Sequence, residues 1–221
     1  GDTFEISFVG GAPDTQLTRL VIDGDQVANF QNTPGFSSGD VFFDTAAGGR
    51  GVDNSFPFSF GSVTDSSGNV KSSITATATA TVIDGTTSLA VDLTGLLAGD
   101  VLSFSIDVDE AEIVDPRLTA DQQNQLFDPL TSGAEFHGSP FTAFFSAPNY
   151  HDSQATGTFA NFYDAIATAE SAAAGGAKLD LPADAERNNP DRTAGVFAYV
   201  EQTPCPSTMA GTVYHDRNRD L

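Results

Sequence analysis

Apolar and polar positions alternate along much of the chain, and a period of two predicts β-strands. Phe4, Ile6 and Phe8 alternate with Thr3, Glu5 and Ser7, which predicts a half-buried strand. Leu17–Ile22 predicts a second strand, ended by the turn sequence Asp23-Gly24-Asp25. Val41–Phe43 is short and wholly apolar between Asp40 and Asp44. Phe56, Phe58 and Phe60 recur two apart and predict a strand face lined with phenylalanine. Ser73–Ile83 alternates Thr and Ala up to Asp84-Gly85, which suits a sheet packed closely on one side. The same period continues in Leu89, Val91 and Leu93, and in Leu102, Phe104, Ile106 and Val108. Further strands are predicted within Ala134–Ser146 and Thr193–Gln202.

Two segments have a different rhythm. Thr119–Phe127 carries Thr119 and Gln122 at capping-box spacing and is stopped by Pro129. Thr158–Ala174 is Ala-rich, with Phe159, Phe162, Tyr163 and Ile166 at helical spacing before Gly175-Gly176. Both are predicted to be short helical insertions, and Pro182–Arg192 a long polar loop. Many short strands separated by Gly, Asp, Asn and Pro predict an all-β fold. The expected architecture is an antiparallel, jelly-roll-like β-sandwich over residues 1–204.

Composition narrows the partners. The 221 residues are 39% hydrophobic and include 18 Phe, enough to bury a core. Nine Lys and Arg against 30 Asp and Glu give a net charge of −21. Nucleic acid is therefore a poor partner, because phosphate binding draws on cations that are scarce here. No run approaches the ~18–20 apolar residues of a membrane-spanning helix, so no membrane insertion is expected. Cys205 has no second cysteine to pair with, and a zinc site of several cysteines is excluded. Cys205 also lies between two prolines with no adjacent base, which disfavours a nucleophile. The sequence holds no H-E-x-x-H, G-x-S-x-G, P-loop or dinucleotide fingerprint. Gly1–Gly10 lacks the basic start and apolar segment of a signal peptide, so a mature fragment of an exported protein is expected.

A charge of −21 repels itself unless salt, spacing or divalent cations offset it. Calcium takes oxygen ligands and suits extracellular concentrations. The first candidate ligand set is Asp23, Asp25, Asp40 and Asp44; the alternative for Asp-Gly-Asp is a plain turn. The second is Asp107, Asp109 and Glu110. Asp107 and Asp109 share a strand face opposite Phe104, Ile106 and Val108, predicted to be solvent or a concave binding surface. Two like charges so placed need a cation or water between them. Glycan processing by Asp107, Asp109 and Glu110 is a further alternative. Against it, position i+4 from Asp107 is Ala111, Glu110 lies on the other face, and no Trp can form a sugar platform. Tyr150, His151 and Asp152 follow Pro148-Asn149 as an exposed loop, either ligand-binding or simply turn and packing.

Near residue 205 the composition changes. Thr203–Ser207 reads as a linker, and Gly211–Asp220 resembles the opening strand and calcium loop of a collagen-adhesin B-type domain, as in serine-aspartate repeat surface proteins. The family pattern is G-x-V-(aromatic)-x-D-x-N-x-D-G, and Leu221 stands where the family has Gly. The resemblance implies that Asp216, Asn218 and Asp220 are calcium ligands, and that 205–221 is a linker with the truncated first strand and loop of such a domain. Gln16–Asp25, Asp40–Thr45 and Phe104–Glu110 resemble stretches of the N-terminal modules of large bacterial secreted proteins. That resemblance implies an exported, multidomain cell-surface protein, and it carries over no defined catalytic activity or substrate. The resulting expectation is an extracellular, calcium-stabilised, non-catalytic binding or adhesion module whose partner is a glycan or a cell-surface or matrix protein. A structural spacer without ligand is the alternative, followed by an enzyme.

Overall fold

The computed structural model describes residues 2–25, 32–33, 36–37, 40–47, 55–72, 76–110, 117, 119, 122, 136–161 and 194–206. Among them the fold is all-β, and every strand pair is antiparallel. A five-stranded sheet has the order β12 (Ser153–Thr158), β11 (Pro140–Ser146), β2 (Gln16–Asp23), β8 (Ser88–Leu97) and β7 (Thr77–Val82). A three-stranded sheet has the order β1 (Asp2–Ser7), β9 (Val101–Ile106) and β6 (Ser59–Thr64). Three short pairs complete the ladder: β5 (Val41–Phe43) with β10 (Val108–Glu110), β3 (Asn32–Thr33) with β4 (Phe36–Ser37), and β13 (Ala160–Asn161) with β14 (Ala194–Gly195).

The period of two explains the layers. In β9, Leu102, Phe104 and Ile106 are buried while Val101, Ser103 and Ser105 are half-buried. In β11, Phe141, Ala143 and Phe145 are buried. These inward rows meet Leu17, Leu20 and Ile22 of β2 and Leu89 and Val91 of β8 in one continuous core, as expected for an antiparallel sandwich. Phenylalanine does much of the filling. Phe4 stacks on Phe104 at 5.0 Å and meets Phe136 edge-on at 5.6 Å, while Phe8 meets Phe145 edge-on at 5.3 Å. Such pairs add about 0.5–1.5 kcal/mol each beyond the area they bury.

The predicted strands at Phe4–Phe8, Leu17–Ile22, Val41–Phe43, Leu89–Leu93 and Val101–Val108 are all present. The phenylalanine-lined strand is shorter than predicted: it begins at Ser59, and Phe56 is exposed. Among the described residues of Thr193–Gln202, Ala194–Gly195 alone pairs as a strand, although Val196, Ala198 and Val200 still pack on the core.

The helix predicted to start at Thr158 does not start there. Thr158 closes β12, and Ala160–Asn161 pairs with β14. The Phe159 N–H donates to the Ser139 carbonyl at 2.9 Å, and the Gly138 N–H donates to the Phe159 carbonyl at 2.8 Å. The Phe159 ring lies 5.6 Å from Phe136 and 6.0 Å from Phe141. At Thr158–Asn161 long-range pairing and aromatic burial override the local helical spacing. Residues 162–174 lie outside the described residues. At the other predicted helix, the Thr119 N–H donates to Gln122 Oε1 at 3.0 Å and the Gln122 N–H to Thr119 Oγ1 at 3.3 Å. These are the two reciprocal bonds of a capping box, and Gln122 is helical; the rest of Thr119–Phe127 lies outside the described residues.

Candidate metal centre

The site is built by a strand that changes partner. Up to Ile106 the chain runs in the three-stranded sheet, and from Val108 it pairs with β5. Val108 lies opposite Phe43 and Asp109 opposite Phe42. Extending that register sets Asp107 opposite Asp44, whose N–H donates to the Asp107 carbonyl at 3.1 Å. Paired residues share a face, as do residues two apart on one strand. Phe42, Asp44, Asp107 and Asp109 therefore occupy one face, while Val41, Phe43 and Val108 turn to the core.

A fourth carboxylate arrives from the β7–β8 turn. Gly85 has φ of 67°, the left-handed conformation that favours Gly, and its N–H donates to the Phe43 carbonyl at 2.8 Å. Asp84 Oδ1 then accepts the Thr45 and Ala46 N–H groups at 2.8 and 3.0 Å. Asp84 was legible in the sequence only as half of an Asp-Gly turn. Its convergence with Asp44 follows from pairing over about forty residues, for which no local signal exists.

Electrostatics single out Asp44. It is 1% exposed, and both of its carboxylate oxygens lack a hydrogen-bond partner. Burial, and then the charges of Asp109, Asp84 and Asp107, push its pKa from 3.8 to about 7. Two carboxylates can share a hydrogen bond only when one is protonated, so Asp109 can satisfy Asp44 only in that state. Burial also raises the pKa of Asp107. Asp109 is 1% exposed, so the predicted solvent or concave binding face is a buried face.

The other candidate residues are distributed differently. Asp23 Oδ1 accepts the Asp25 N–H at 3.0 Å, the geometry of an Asx turn. Gly24 is required there by crowding, since a Cβ would collide with the Val41 carbonyl. Asp40 is buried immediately before β5, and Glu110 lies opposite Val41, on the face away from Asp107 and Asp109. Asp216, Asn218 and Asp220 lie outside the described residues. Tyr150 and His151 are held by the segment 203–205: the His151 N–H donates to the Thr203 carbonyl at 3.0 Å, and the Cys205 N–H to the Asn149 carbonyl at 2.8 Å. His151 and Asp152 are exposed.

Among the described residues no group of three acidic, imidazole or thiol side chains is placed to hold a metal ion. A hard cation at Asp44 would accordingly draw the rest of its oxygen shell from backbone carbonyls and water, as calcium commonly does. The molecule thus belongs to a definable class: an antiparallel all-β module with a buried group of carboxylates where its strands change partner. Comparison with protein-family models, with curated proteins and with solved structures gives no match.

Proposed function

We propose that this chain is an extracellular, non-catalytic binding module of a surface protein, stabilised by calcium bound at Asp44 with backbone carbonyls and water, beside the charges of Asp107 and Asp109. The observation that carries this reading is the state of Asp44: buried, without a hydrogen-bond donor, and surrounded by three further carboxylates. A divalent cation removes all three costs at once. Asp84 adds negative charge beside Asp44, while its Oδ1 is engaged by two amides. The acidic surface supports an extracellular setting, where millimolar calcium supplies the counterion. A catalytic use of Asp107, Asp109 and Glu110 is disfavoured, because Asp109 is shielded from solvent and Glu110 lies on the opposite face.

Calorimetric melts in calcium and in chelator test the proposal. Calcium at about 100 times its dissociation constant should add roughly 2.7 kcal/mol. For a chain of this size that is a rise of about 5–10 °C. Identical melts in both buffers would remove the metal from the proposal.

A further inference from the structure

We propose that the outer face of the five-stranded sheet, around the bulge at Thr18, is a binding site for a neutral saccharide. This rests on the reading of the chain as a binding module and names its ligand class. The central strand β2 breaks register with both neighbours at one residue. Against β11 the register passes from Arg19 to Leu17 between Phe144 and Phe145, and against β8 it shifts between Leu17 and Arg19. Bulges re-aim side chains and interrupt a flat sheet, and they recur beside functional sites. Here the bulge coincides with a surface cavity of about 490 Å³ lined by Thr18, Arg19, Asp92, Phe144, Asp152 and Ser153.

The register also lays a row across all five strands. Gln154 lies opposite Phe144, Phe144 opposite Arg19, Arg19 opposite Asp92, and Asp92 opposite Thr79. Four inter-strand spacings make this row about 19 Å long. It combines a half-buried aromatic ring with both donors and acceptors. Arg19 and Asp92 form an ion pair at 3.1 Å with side chains 46% and 54% exposed, so both remain open to hydroxyl groups. A pyranose matches this mixture, because its C–H face can lie on Phe144 while its hydroxyls both donate and accept. A polyanionic glycan does not match, because the chain carries −21 and Arg19 is already paired.

The test is a ¹⁵N-resolved titration of the whole chain with cellohexaose, xylohexaose and mannohexaose at millimolar concentration, with polygalacturonate as the anionic control. The expected result is amide shifts at Thr18, Arg19, Asp92, Phe144 and Ser153 with at least one neutral oligosaccharide and none with the control. Phe144→Ala should weaken that binding about tenfold. Asp92→Asn, an exposed and structurally mild change, should weaken it several-fold and serves if the Phe144 variant fails to fold. No shift with any neutral oligosaccharide overturns the saccharide assignment. Shifts confined to Tyr150 and His151 overturn the location while leaving the binding-module reading in place. The calcium melts are unaffected by either result.

Discussion

Replacing Asp44 by Asn should stabilise the metal-free protein, although it removes a buried side chain's charge rather than any contact. The carboxylate is 1% exposed, and its folded-state pKa is about 7 against an ordinary value of 3.8. An acid whose pKa rises on folding binds more protons in the folded state between those two values. Stability therefore falls as pH rises from about 4 to 7, and the full cost is present above pH 7. Three pH units correspond to roughly 4 kcal/mol, which coupling to the neighbouring charges reduces to about 2–4 kcal/mol. Asn has nearly the same shape and no charge, so it escapes this cost. In chelator at pH 8 the variant should melt about 5–15 °C above the parent, and the gap should close below pH 4. In saturating calcium the parent should recover while the variant gains nothing. Calorimetry across pH, with chelator and with calcium, reads all of this. A variant less stable than the parent at pH 8 in chelator, or a gap independent of pH, would refute the reasoning.

Substitutions at two other places probe the scaffold. Gly24→Ala places a methyl group against the Val41 carbonyl, a backbone atom that cannot swing away, and should cost about 1–3 kcal/mol by chemical denaturation. Lys71→Ala strands Asp100, whose side chain is 6% exposed and accepts Lys71 Nζ at 2.6 Å. That loss should cost about 2–4 kcal/mol, and Lys71→Arg should recover part of it if charge is what matters. Asp100 also accepts the Leu97 N–H at 2.8 Å, so Asp100→Ala should be at least as damaging as Lys71→Ala.

The strand pattern was legible because burial of one sheet face imposes a period of two that needs no knowledge of partners. Val101–Ile106 shows this directly: the residues that alternate in sequence alternate in burial. The helix start predicted at Thr158 was misplaced for the opposite reason. Local helical spacing is a weak preference, and the backbone bonds of Phe159 to residues 138 and 139 are worth more than it. The site was half legible. Asp107 and Asp109 share a face by strand geometry, and Asp40 and Asp44 bracket β5, yet nothing local reveals that β5 and β10 pair and bury that face. Glycine offered a similar half-signal at Asp23-Gly24-Asp25. The turn is present, but Gly24 is needed for the close approach of β5 rather than for a left-handed φ.

The position of Asp44 gives its charge state reach beyond its own contacts. β5 is bonded on one side to β10, the continuation of the strand that runs through the three-stranded sheet. On its other side it is bonded to turns of the five-stranded sheet: the Val41 N–H donates to the Gly24 carbonyl at 3.0 Å and the Phe43 N–H to the Thr86 carbonyl at 2.9 Å. Gly24 follows β2, and Thr86 precedes β8. Three residues of β5 thus stitch the two sheets together, and Asp44 is the next residue along. Repulsion among Asp44, Asp107 and Asp109 pushes apart the two strands of that stitch, whereas a proton or a cation between them closes it. An ion bound there would accordingly raise the stability of the sandwich as a unit instead of merely ordering a loop, since opening the corner also separates the faces that bury Phe43 and Ile106.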